Sequence, residues 1–93
     1  MPQVFEIGAY LVYFWSNEND PLEPIHVHVA EGRPQKDGTK IWITKSGKTL
    51  LANNNANIPQ KDLKDIQRVI ESNVDFVIQM WSQHFEGEIK LYC

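Results

Sequence analysis

Positions 25–30 read Ile25-His26-Val27-His28-Val29-Ala30, and this hexapeptide decides the architecture. Its branched residues alternate with its histidines, the period of two that belongs to a β-strand. Ile25, Val27 and Val29 fall on one face of that strand, and His26 and His28 on the other. Upstream, residues 9–15 (AYLVYFW) form an apolar run too short for a helix and rich in β-formers, as expected of a strand buried on much of both faces. Before it, residues 4–7 (VFEI) make a short β-prone entry, and Gly8 permits a bend. Downstream, residues 40–44 (KIWIT) and 49–52 (TLLA) flank Ser46-Gly47 and read as a hairpin, with Asn53-Asn54-Asn55 closing the sheet portion. Ser16 to Pro21 with Pro24, and then Gly32, Pro34 and Gly38, mark the two intervening loops.

From Asn57 the period changes. Leu63, Ile66, Ile70, Val74, Val77, Trp81 and Phe85 recur at steps of three or four, one apolar stripe at helical spacing. Asn57 and Gln60 are placed as N-cap and its N3 partner, Ser72-Asn73 as a point where the helix bends or splits, and Gly87 as its stop. The expectation is an α+β domain: a small, curved antiparallel sheet of about four strands, then one long or bent C-terminal helix packed on one sheet face. Residues 3–52 are β-rich, 58–86 helical and 87–93 a short tail with some strand character. Whichever of Tyr10, Val12, Phe14 and Trp42 the helix leaves uncovered would favour a dimer or a partner protein.

The chain has 93 residues, the size of one domain, with 42% hydrophobic and 23% charged residues, which excludes a disordered chain. Its one cysteine, Cys93, excludes an internal disulfide. No basic-then-apolar opening segment and no apolar run near ~20 residues is present, so no membrane association and a cytoplasmic location are expected. The net charge of −3 is unevenly spread. Residues 1–32 hold five acids and no Lys or Arg, whereas residues 33–48 hold Arg33, Lys36, Lys40, Lys45 and Lys48 against Asp37 alone. This balance does not indicate a nucleic-acid binder. The cations of 33–48 are read first as lysines on exposed strand edges that discourage sheet-to-sheet pairing.

His26 and His28 are the candidate site. Two residues apart on a strand, their Cα atoms lie ~6.6 Å apart with both side chains on one face. Three readings stay open. The pair can be structural or touch a partner, which ranks first. It can hold a divalent metal, with Asp20, Glu23, Glu31, His84 or Cys93 as third ligand, although no HExxH or CxxC spacing supports a metal and no cofactor is otherwise implied. It can also serve as a catalytic acid/base pair, with Lys40 or Arg33 stabilising charge. Ser16 and Ser46 are explained by turns, Cys93 lacks an activating setting, and no phosphate-cradling glycine motif occurs. Trp15, Trp42 and Trp81 read as core or interface anchors.

Taken in order, Phe14-Trp15-Ser16-Asn17-Glu18, Glu23-Pro24-Ile25-His26-Val27-His28-Val29, Lys40-Ile41-Trp42-Ile43 and Trp81-Ser82-Gln83-His84-Phe85-Glu86-Gly87 resemble the pattern of domain-of-unknown-function family 4160, small and mainly bacterial proteins. The resemblance covers nearly the whole chain. Its most specific piece is the family's Glu-Pro-Pro-His-Val-His-Val segment, where Ile25 replaces the second proline. His26 and His28 match the signature histidines. The family carries no established activity. Its members are often encoded beside a second small family of unknown function, number 2442, as toxin–antitoxin pairs are. The resemblance thus implies a partner, a protein first and nucleic acid as the alternative, and no settled chemistry. The expected function is an interaction module or toxin–antitoxin-like component, and the alternative is a small ribonuclease-like or metal-dependent hydrolase built on His26, His28 and Lys40.

Overall fold

The computed structural model describes residues 3–15, 23–87 and 89–92. Its elements run β1 (Gln3–Ile7), β2 (Tyr10–Tyr13), β3 (His26–Glu31), β4 (Thr39–Ile43), β5 (Thr49–Asn53), α1 (Gln60–Ser72) and α2 (Val74–His84). The strands form one antiparallel meander in the order β1-β2-β3-β4-β5, with the histidine strand at its centre. The class is therefore α+β. The count differs from expectation: five strands rather than about four, because residues 3–7 pair with β2 across an irregularity between Gln3 and Phe5, and two helices rather than one.

Alternation along the strands builds two unlike faces. Val12, Phe14, Val27, Val29, Ile41 and Ile43 point to one side and meet Leu63, Ile66, Ile70, Val77, Trp81 and Phe85 from the helices. All of these are buried. Tyr10, Val12 and Phe14 thus lie under the helices, and Trp42 is the member of the expected set that lies on the other face. That second face carries Leu11, Tyr13 and Ala30 beside His26 and His28. β2 is buried on both sides, as its unbroken apolar run requires.

The helical stripe is continuous, but the backbone is not. Near the end of α1, Ser72 Oγ donates to Arg68 O at 3.0 Å and Asn73 Nδ2 donates to Val69 O at 2.8 Å. Side-chain donors of this kind compete for the carbonyls of the last turn. Asn73 leaves the helical region at φ −124°, ψ 26°, and α2 starts at the next residue. The start of α1 also departs from expectation. Pro59 is its N-cap, without a side-chain hydrogen bond, and Asn57 sits in the left-handed region at φ 55°. The residue that organises this corner is Asn54. Its Oδ1 accepts from Ile58 N and Thr39 Oγ1, and its Nδ2 donates to Ile58 O. At the far end, α2 stops at His84, and both Glu86 (φ 58°) and Gly87 (φ 85°) turn left-handed, so the reversal begins one residue before the glycine expected to make it.

The edge strand β5 is tied to α1. Thr49 donates through its N–H and its Oγ1 to Glu71 Oε2, at 2.9 and 2.8 Å, and Gln67 Nε2 donates to Thr49 Oγ1 at 3.1 Å. The Thr49 hydroxyl holds the Glu71 carboxyl below the usual carboxylate range, against the opposing effect of burial. Lys40, expected on a strand edge, sits instead on β4 in the interior of the sheet, while Lys45 and Lys48 are exposed around the β4–β5 turn. Among the described residues no helix is long and apolar enough to cross a membrane.

Candidate functional site

The register of the sheet places the histidines among specific neighbours. His28 lies between Tyr13 of β2 and Lys40 of β4, and His26 lies opposite Trp42. The two imidazoles do project side by side: their centroids are 5.1 Å apart and the rings stand edge to face at 88°. They do not line an open pocket. His26 is 1% exposed and His28 9%, on the sheet face opposite the main helical layer, which α2 reaches only at His26 through Trp81.

Aromatic rings account for much of that burial. His26 meets Trp42 at 5.4 Å and Trp81 at 5.4 Å, both T-shaped. His28 stacks on Tyr13 at 5.6 Å and 28°, with Trp15 at 6.4 Å. Tyr13 is fixed in turn by the loop after β3: its hydroxyl donates to Gln35 O at 2.6 Å and accepts from Gln35 N at 3.1 Å. Gly38 of the same loop lies so close to that hydroxyl that a Cβ would collide with it. Glycine is needed here for room.

The tautomer of His26 follows from its bond to Pro24. Its Nδ1 lies 2.9 Å from Pro24 O, and because a carbonyl only accepts, Nδ1 carries the hydrogen. The neutral ring therefore keeps its lone pair on Nε2, the tautomer used by basic and metal-ligating histidines whose other nitrogen is held by a backbone carbonyl. Lys40, across from His28, is engaged twice: its Nζ is 3.0 Å from Glu23 Oε1 and 4.3 Å from the centre of the Trp42 ring. Tyr92 stacks on Trp42 at 4.9 Å and 11°. Trp81 Nε1 is buried and makes no hydrogen bond.

Of the candidate residues, the structure thus brings His26, His28 and Lys40 together, with Glu23 drawn in by Lys40. It separates the others. Glu31 ends the same strand, and Arg33 lies exposed beyond it, at the opposite end from His26. His84 packs on Phe14 and Phe85, at 5.5 and 4.8 Å. Ser46 Oγ bonds Thr44 Oγ1 in the β4–β5 turn, as a turn residue should. Ser16, Asp20 and Cys93 lie outside the described residues. Among the described residues, no three His, Cys, Asp or Glu side chains gather into a group that could hold a metal ion.

Open concave space lies at the Glu31 end of β3. Two clefts of about 350 Å³ each share Tyr10, Glu31 and Asp62; Asp65 and Ile66 line the first, Asn57 and Pro59 the second. Tyr10 Oη donates to Asp62 Oδ2 at 2.8 Å. That bond, then burial and the charges of Asp62 and Glu31, raise the Tyr10 hydroxyl above its ordinary value. The acidic rim disfavours anionic ligands there. Sequence reasoning did not foresee this corner, since Tyr10 and Asp62 are 52 positions apart. Nor did it foresee Tyr13 as the wall of His28 or Tyr92 as the cover of Trp42. The one available signal was the residual strand character of the tail.

No curated protein and no solved structure matches the chain. A family model does match, across residues 9–82: the domain of unknown function DUF4160. That span runs from the start of β2 almost to the end of α2 and contains both histidines, Lys40, Trp42 and Trp81. The chain belongs to the DUF4160 family.

Proposed function

We propose that this chain is a partner-binding module, a toxin–antitoxin-like component that works through the sheet face opposite its helices. The observation that carries the reading is the packing of the histidines. At 1% and 9% exposure they form a wall among rings, so what this face offers a ligand is a surface. Next to the wall, Leu50 pairs with Trp42 across β4 and β5 and stays 48% exposed, bordered by the Lys40–Glu23 ion pair. An exposed apolar residue beside an aromatic ring and paired charges is the make-up of a protein contact with a polar rim. The partner implied by the family's gene arrangement is a small protein of domain-of-unknown-function family 2442. Co-expression with such a protein is expected to give a complex in size-exclusion chromatography with light scattering. Leu50→Glu should weaken it by about tenfold or more, as a charge buried at a contact centre does. A strict monomer under co-expression would end this reading.

One observation favours a second reading, a small hydrolase. The Pro24 carbonyl fixes His26 as the Nδ1–H tautomer, and Lys40 lies across the strand from the neighbouring His28. A base, an acid and a cation in that order could act on a phosphodiester. A His26→Ala/His28→Ala double variant would then relieve growth arrest and RNA loss on expression. Equal growth and RNA integrity for wild type and variant would remove it.

A further inference from the structure

The ends of β3 and β4 part just beyond the His26–Trp42 pair. Ile43 N–H still donates to Ile25 O at 2.9 Å. On the other side of that pair, Ile25 N–H donates to Lys90 O at 2.7 Å, and Ile43 O accepts from Tyr92 N–H at 3.0 Å. Lys45 N–H then donates to Tyr92 O at 3.3 Å. Residues 89–92 are thus inserted at the splayed strand ends, parallel to β4 through the Thr44–Tyr92 bridge and therefore antiparallel to β3. The left-handed pair Glu86 and Gly87 turns the chain toward this slot.

Three main-chain bonds and two side chains, Leu91 and Tyr92, hold the segment. Ile89 is 49% exposed and Lys90 is exposed, so neither side chain anchors it. Leu91 is half-buried against the aliphatic core, and the Tyr92 ring is laid flat on Trp42 at 4.9 Å, the contact that this aromatic face can read in an incoming segment. Main-chain bonds to a strand accept any extended peptide, and selectivity then rests on the side chains that find a complementary surface. Here that surface is an aromatic plane already backed by His26 and flanked by Lys40.

We propose that this slot is a peptide-binding site of the strand-addition kind, selective for an extended segment that lays an aromatic side chain on Trp42, and that residues 89–92 are its displaceable resident. Displacement leaves Ile25 N–H, Ile43 O and Lys45 N–H needing partners, and buried backbone groups are rarely left without them. Exchange for another segment of the same kind is therefore favoured over an open slot. A resident tethered by a short link competes at an effective concentration on the order of millimolar, so a rival peptide must match that level or meet a weakened resident.

The test uses the full chain, labelled with ¹⁵N, and two capped tetrapeptides, Ile-Lys-Leu-Tyr and Ile-Lys-Leu-Ala. Each is titrated into wild type, Tyr92→Ala and Tyr92→Phe, following the Ile25 and Lys45 amides and the Trp42 indole N–H. The tyrosine peptide is expected to bind Tyr92→Ala about threefold to tenfold more tightly than wild type or Tyr92→Phe, the range of one aromatic stack. The alanine peptide should bind Tyr92→Ala more weakly by a similar factor. Equal response to both peptides, or no movement of the three signals in Tyr92→Ala, would overturn the proposal. Hydrogen exchange on the unsubstituted chain gives a check that needs no variant. The Ile25 and Lys45 amides should exchange faster than Val27 in the core, and protection equal to that of Val27 would show that the segment never leaves.

Discussion

The two faces of this sheet are built from the same strands and held by different means. Under the helices, Val12, Val27, Val29, Ile41 and Ile43 form an aliphatic layer sealed by the stripe from Leu63 to Phe85. On the other face, Tyr13, His26, His28 and Trp42 pack ring against ring, with Lys40 and Glu23 at the border. The first face depends on volume: close packing in which each missing methylene costs stability. The second depends on ring geometry and a few hydrogen bonds, contacts that are individually modest but directional. The first therefore tolerates substitution within limits of size, while the second requires particular ring shapes and donors.

Adjacent residues of β4 sample the two faces and test the contrast directly. Ile41 is fully buried in the aliphatic layer. Ile41→Ala is expected to lower the unfolding free energy by about 2–5 kcal/mol, the range for emptying a packed core position. Trp42→Ala removes a larger side chain but mainly its ring contacts with His26 and Tyr92 and one cation contact, and is expected to cost about 1–2 kcal/mol. Urea denaturation of both variants decides. A Trp42→Ala loss as large as that of Ile41→Ala would make the histidine face a second core and dissolve the distinction.

A smaller effect sharpens the comparison at the far end of β3, where the helix-covered face opens to water. The Tyr10–Asp62 bond should contribute about 0.5–1.5 kcal/mol, and Tyr10→Phe should lose that much at neutral pH. The sign of its pH dependence follows from the raised hydroxyl. The folded chain holds the proton more tightly than the unfolded one, so the stabilisation is full below the unfolded value of about 10 and is lost as pH rises through the folded value. Wild type and Tyr10→Phe should accordingly converge in stability above pH 10, followed by urea midpoints across that range. Parallel curves would mean that the hydroxyl carries none of the effect.

How far the chain could be read before its structure depends on the range of the forces involved. The alternation of residues 25–30 and the stripe from Leu63 to Phe85 are local periodicities, and both survive in the fold. Even the break near Ser72-Asn73 was legible, because the competing side-chain donors belong to those two residues. The start of α1 was misassigned to Asn57, because Asn54 holds that corner through Thr39, a partner from another strand. Residues 4–7 read only as a β-prone entry and not as the edge strand β1, since a short edge gains its stability from its neighbour and little from its own composition. At the site, His26, His28 and Lys40 share a face by parity along their strands. That Tyr13 would stack on His28, or Tyr92 on Trp42, follows from register and chain reversal, which single-strand patterns do not encode.

The interruption at Asn73 also sets the dimensions of the molecule. A single rod over residues 60–84 would run ~37 Å at 1.5 Å per residue, past the longest extent of the whole domain, 33 Å. Breaking the rod lets its second half change course and carry Trp81 to the end of the sheet where β3 begins, against His26. The placement of the signature histidine is in this sense inherited from an asparagine 47 positions away along the chain.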